Sequence, residues 1–108
     1  MQTPEANKIL ERILKDFQKN GMDSAVLIPE FQKAREYALK EEDPLITRAL
    51  RLAWQHLEAN NSFEVPFLED GETADENFDY FVNLMIKSTN TINRDELREM
   101  TNMLQKLA

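Results

Sequence analysis

A short polar residue followed directly by proline is a strong helix-start signal, and this chain carries it at Thr3-Pro4 and again at Asp43-Pro44. The polar side chain can accept from the N–H groups that a helix leaves unpaired at its start. Proline at the first helical position loses nothing by lacking its own N–H. Behind the first signal Ile9, Leu10, Ile13, Leu14 and Phe17 recur at helical spacing, and Asn20-Gly21 supplies the left-handed stop. Behind the second, Leu45, Ile46, Ala49, Leu50, Leu52, Ala53 and Leu57 form the cleanest apolar arc in the chain. Arg48, Arg51, Gln55 and Glu58 face the other way, and Asn60-Asn61-Ser62 ends the helix.

Two capping-box spacings mark further starts. Thr73-Ala74-Asp75-Glu76 opens a helix whose stripe is Phe78, Phe81, Val82, Met85 and Ile86. Asn93-Arg94-Asp95-Glu96 opens a last one with Leu97, Met100, Leu104 and Leu107. Between the first and third helices Leu27, Ile28, Phe31, Ala34, Ala38 and Leu39 share a side, but Pro29 interrupts them. An interior proline costs about 3 kcal/mol, so the sequence predicts a turn over 23–28 and a helix that begins at Pro29. The expectation is an all-α fold of helices at about 4–20, 29–42, 44–60, 74–88 and 94–107. These form one compact, five-helix, bundle-like domain over 1–108 with one long irregular loop at about 61–72. That loop, with Phe63, Val65, Phe67 and Leu68 beside Pro66, has no strand partner and is expected to lie across a gap between helices.

The composition agrees with a folded domain, at 42% hydrophobic and 31% charged residues. The longest apolar run, Ala25 to Ile28, is far short of the ~20 residues of a membrane span. There is no basic-then-apolar leader at the N-terminus and no cysteine. These features fit a cytoplasmic protein with no membrane partner, and they exclude disulfides, thiol catalysis and thiolate metal sites.

The net charge of −7 is concentrated. Residues 61–93 hold one lysine and seven Asp/Glu, whereas the chain on either side is close to neutral. Such a balance argues against a nucleic-acid partner, since a phosphate backbone would be repelled. The densest part runs from Glu69 to Asp79. A helix–loop–helix calcium site fails there, because placing Gly71 at its invariant glycine puts Pro66 and Leu68 at ligand positions and Asn77 where a bidentate glutamate is needed. A looser cation site from Glu69, Asp70, Glu72, Asp75 and Asp79 is an alternative, but no metal or cofactor is assigned. Asp75 and Glu76 are explained by the positive end of a helix dipole. Glu69, Asp70 and Glu72 are left as candidates, with Phe63, Phe67 and Tyr80 as anchors, for docking a basic protein segment or a second copy of the chain.

Two polar residues fall on apolar faces. His56, the only histidine, lies inside the arc of the third helix, so a histidine-pair metal site is excluded. Arg35 lies between Phe31 and Leu39, where a guanidinium wants a carboxylate such as Glu42. Each has a structural reading and a ligand-binding one. Tyr37, Trp54 and Tyr80 lie off the main arcs, at helix edges or on a second apolar face. No nucleophile elbow, phosphate-cradling glycine loop or zinc-protease motif is present, so no catalytic residue is assigned and no enzyme is expected. The sequence therefore predicts a non-catalytic interaction or regulatory module. The alternative is a small-ligand or cation-binding domain with an inter-helix pocket around Arg35 or His56.

Overall fold

A computed structural model describes residues 3–63, 65 and 74–107. Among these residues the architecture is all-α, with five helices and no strand. They are α1 (Pro4–Asn20), α2 (Ser24–Lys40), α3 (Pro44–Asn60), α4 (Ala74–Ile86) and α5 (Thr91–Leu107). No described helix is long and apolar enough to cross a membrane.

The caps are where the sequence places them in α1 and α3. Thr3 Oγ1 accepts from the Ala6 N–H at 3.3 Å, and Asp43 Oδ1 accepts from the Ile46 N–H at 3.2 Å. Gly21 closes α1 at φ 76°, in the left-handed region, with its N–H on the Phe17 carbonyl at 2.8 Å. Glycine reaches that conformation without the steric cost a side chain would bring.

Helix α2 begins at Ser24, not at Pro29, and Pro29 sits inside it. Pro29 deprives the Ala25 carbonyl of its helical donor, but both residues are exposed, so water can serve that carbonyl. The first turn is held from outside the helix. Leu27 is fully buried, Ser24 Oγ donates to the Leu57 carbonyl at 3.2 Å and also to Asn61 Oδ1, and the Leu27 N–H bonds the Asp23 carbonyl at 2.9 Å. Burying Leu27 contributes about 2–3 kcal/mol, the same size as the proline penalty. At its other end α2 stops at Lys40 and not at residue 42, because Glu42 turns left-handed at φ 54°.

The last two helices also shift. Asn90 Oδ1 accepts from the N–H groups of Ile92 at 2.9 Å and Asn93 at 3.3 Å, so α5 begins three residues before the expected start. Asn93 instead donates its side-chain amide to the Lys87 carbonyl at 3.1 Å. This leaves α4 to end at Ile86 rather than 88.

Each helix packs mainly on two others, and the contacts close a ring in the order α1, α2, α3, α5, α4. The chain fills the ring with aromatics. Phe17 and Phe31 meet Phe78 at centroid distances of 4.6 and 6.0 Å, and Phe63 meets Phe78 at 5.5 Å and Phe81 at 5.1 Å. The radius of gyration is 12.5 Å, close to the ~13 Å expected of a chain this long.

Candidate functional site

Helices α2 and α3 pack on each other more extensively than any other pair of helices, and the outer side of their hairpin forms a groove of about 410 Å³. Arg35 and Leu39, one turn apart on α2, form one wall. Pro44, Thr47, Arg48 and Arg51 on α3 form the other, with Glu42 and Asp43 at the corner between the helices.

The arginines give this groove its character. The chain has six. Three are paired with carboxylates: Arg12 with Glu30 at 2.9 Å, Arg94 with Asp43 at 2.9 Å and Arg98 with Asp95 at 3.2 Å. The other three are Arg35, Arg48 and Arg51, which have no carboxylate partner among the described residues, and all three line the same groove. Arg48 donates to Gln105 Oε1 at 2.7 Å and Asn102 Oδ1 at 3.0 Å. Those acceptors are neutral, so they orient the guanidinium without cancelling its charge. Arg35 stacks over the Trp54 ring, with Cζ at 5.8 Å from the centroid. Its Nε is buried and has no hydrogen-bond partner among the described residues. Stacking fixes the plane of a guanidinium and leaves its edge free to meet a carboxylate with two parallel bonds.

The negative groups at the corner are unequal. Asp43 is committed, with its two oxygens on Arg94 and one of them on the α3 start. Burial alone would raise its carboxyl, but the Arg94 hydrogen bonds and the Ile46 N–H outweigh this and hold it below the ordinary value of 3.8. Three guanidiniums therefore stand against one exposed carboxylate, that of Glu42. Leu39 adds an apolar wall that is 52% exposed.

The residues singled out from the sequence are scattered. Phe63 is wholly buried and its ring is enclosed by His56, Phe78 and Phe81, so it is core and not a surface anchor. Val65 is buried too, and residues 64 and 66–72 of the expected loop lie outside the described residues. Phe67, Glu69, Asp70 and Glu72 lie outside the described residues. Tyr80 is half-buried and its hydroxyl donates to Glu96 on α5, which pushes its pKa up to about 12. Asp79 accepts from Gln18 at 3.3 Å and from Asn83 at 3.2 Å. Both groups thus tie α4 to its neighbours.

Arg35 does not find the carboxylate expected of it. Its partner is the Trp54 ring, contributed by the next helix. His56 is half-buried with its edge on Phe63 at 5.8 Å, and Asn60 Nδ2 lies 3.4 Å from its Nδ1. It borders a separate cavity of about 290 Å³ with Leu52, Leu104 and Leu107. Arg35 and His56 are therefore not parts of one pocket. Sequence reasoning assigned Arg48 and Arg51 to the outer face of α3 and went no further. Their spacing of three residues, opposite an arginine on the preceding helix, was the signal that joins them.

Comparison of the chain with protein-family models, with curated proteins and with solved structures gives no match.

Proposed function

We propose that this protein is a non-catalytic interaction module that engages a protein partner through the α2–α3 groove. One observation carries the reading: the three arginines without a carboxylate partner among the described residues line one cleft, while the other three are each paired within the fold. Uncompensated guanidiniums scattered over a surface need no explanation, but three around an exposed leucine resemble the arginine-rich, apolar-centred composition of recognition surfaces. The α4 start supports docking of a basic segment less well, because Asp79 and Tyr80 are engaged within the fold. The part of that reading that rests on Phe67, Glu69, Asp70 and Glu72 concerns residues outside the described ones.

Comparative affinity capture from cell extract tests the proposal. Bait proteins would be the natural chain, an Arg35→Gln/Arg51→Gln variant, and a Lys15→Gln/Lys19→Gln variant with the same charge change on exposed α1 positions. Proteins retained by the natural chain and the lysine variant, but lost by the arginine variant, support the groove as the contact. Identical sets for all three baits, with unchanged thermal midpoints, overturn it.

A further inference from the structure

We infer that the occupant of the α2–α3 groove is a peptide segment of a partner protein in which an apolar side chain and a carboxylate stand about two residues apart in an extended chain. The inference rests on the groove being an interaction site and specifies what enters it.

The spacing comes from the helix walls. Arg35 and Leu39 are four residues apart on α2, which is a rise of ~6 Å. An extended peptide advances ~3.3 Å per residue, so two residues of it cover the same distance. The walls are antiparallel, so the ends of the groove differ. Leu39 faces Pro44 and Thr47 near the corner, and Arg35 faces Arg51 further along. A leucine-like side chain fits the first end and a carboxylate the second, where Arg35 and Arg51 line the groove. Arg48, held by Gln105 and Asn102 on α5, offers a second cationic contact beside the first.

The sign of the charge follows the local groove and not the whole molecule. The chain carries −7 overall, yet at physiological ionic strength charges farther than ~8 Å are largely screened. The molecule extends 34 × 27 × 22 Å, so most of its carboxylates lie beyond that range from a docked group. Among the described residues, what such a group meets is three guanidiniums, Glu42 and Asp43, whose charge is already paired with Arg94. Glu42, at the corner beside Leu39, also disfavours a second carboxylate at the apolar end, which decides which end of the groove takes the acid.

Amide NMR titration of the isotope-labelled full chain tests this with four additions. They are an acetylated octapeptide with leucine and glutamate two residues apart, its counterpart with glutamine for glutamate, a peptide of the same composition with leucine and glutamate adjacent, and inorganic phosphate. The expected result is saturable shifts at Leu39, Thr47 and Arg51 with the first peptide, and binding at least tenfold weaker for the glutamine and adjacent-residue peptides. Arg51→Gln, with an unchanged thermal midpoint, should weaken the first peptide tenfold or more. Equal binding of the glutamine peptide overturns the anionic occupant and leaves the groove as an interaction site. Phosphate that shifts the same amides and displaces the peptide at comparable concentration makes the site one for phosphate-bearing ligands and overturns the peptide assignment. Shifts at these amides that grow with protein concentration alone assign the groove to a second copy. No shift there with any addition overturns the groove itself.

Discussion

Asp43 holds two parts of the fold with one carboxylate, and its removal can be given a magnitude. It caps α3 through the Ile46 N–H and binds Arg94 of α5 with two 2.9 Å hydrogen bonds. Losing an N-cap costs about 1 kcal/mol. A hydrogen-bonded charge pair contributes about 1.5–3 kcal/mol when well shielded. Arg94 is 32% exposed against 14% for Asp43, so water takes over part of its lost contact. A value near the low end, about 1–2 kcal/mol, is then appropriate for the pair. Asp43→Ala should therefore destabilise by about 2–3 kcal/mol, which in a domain of this size lowers the thermal midpoint by ~10 °C. Asp43→Asn keeps an acceptor for the cap and loses only the charge, so it should cost about 1 kcal/mol less. Urea unfolding followed by far-ultraviolet circular dichroism measures both, and a cycle with Arg94→Gln isolates the pair.

The pH dependence has a definite sign. A carboxyl held below its ordinary 3.8 contributes stability that is complete above that value and is lost as pH falls through the depressed one. The gap between the natural chain and Asp43→Asn should thus be constant near neutrality and close in acid. An Asp43→Ala cost under about 0.5 kcal/mol, the range of ordinary surface changes, would refute the reasoning. So would strict additivity with Arg94→Gln.

Two further outcomes follow from the aromatic residues. Phe63→Ala should lose about 3–4 kcal/mol, as for other buried phenylalanines, in urea unfolding; a loss under about 1 kcal/mol would return Phe63 to the surface. Tyr80→Phe should remove the component of the tyrosine absorbance titration that lies near pH 12, and a titration curve identical in shape would dissociate Tyr80 from Glu96. Because the raised value belongs to an acid kept protonated by folding, stability from this contact is present below the ordinary 10 and declines as pH rises toward 12.

Where a helix is specified by its own residues, the sequence was readable. Thr3-Pro4 with the α1 stripe and Asp43-Pro44 with the α3 stripe carry cap, start and buried face in one local string. Helix α2 shows where this stops. Pro29 is a local penalty, whereas what offsets it is distant: Leu27 in the core and Ser24 on Leu57 and Asn61. Asn93 and Asn90 present the same side chain to the same helix, and only the turn after α4 decides which becomes the cap. Phe63 lies in a segment without periodicity, so nothing local distinguishes a ring entering the core from one left outside. The groove was invisible for another reason. A helical projection sorts α3 into an inner and an outer face, and Arg48 and Arg51 are outer by that measure. Pairing α3 with α2 makes part of that outer face the wall of a cleft.

The order of the helical ring also bears on the synthesis of the chain. Phe17 and Phe31 emerge with the first helices, but the ring that covers both belongs to Phe78, on a helix that closes the circle from the far side. At ~5–20 residues per second, the interval between synthesis of Phe31 and Phe78 is roughly 2–10 seconds. Until Phe78 is made, the sides of Phe17 and Phe31 that its ring covers in the fold lack that cover. Completion of that aromatic cluster therefore waits on α4, the fourth helix in the chain.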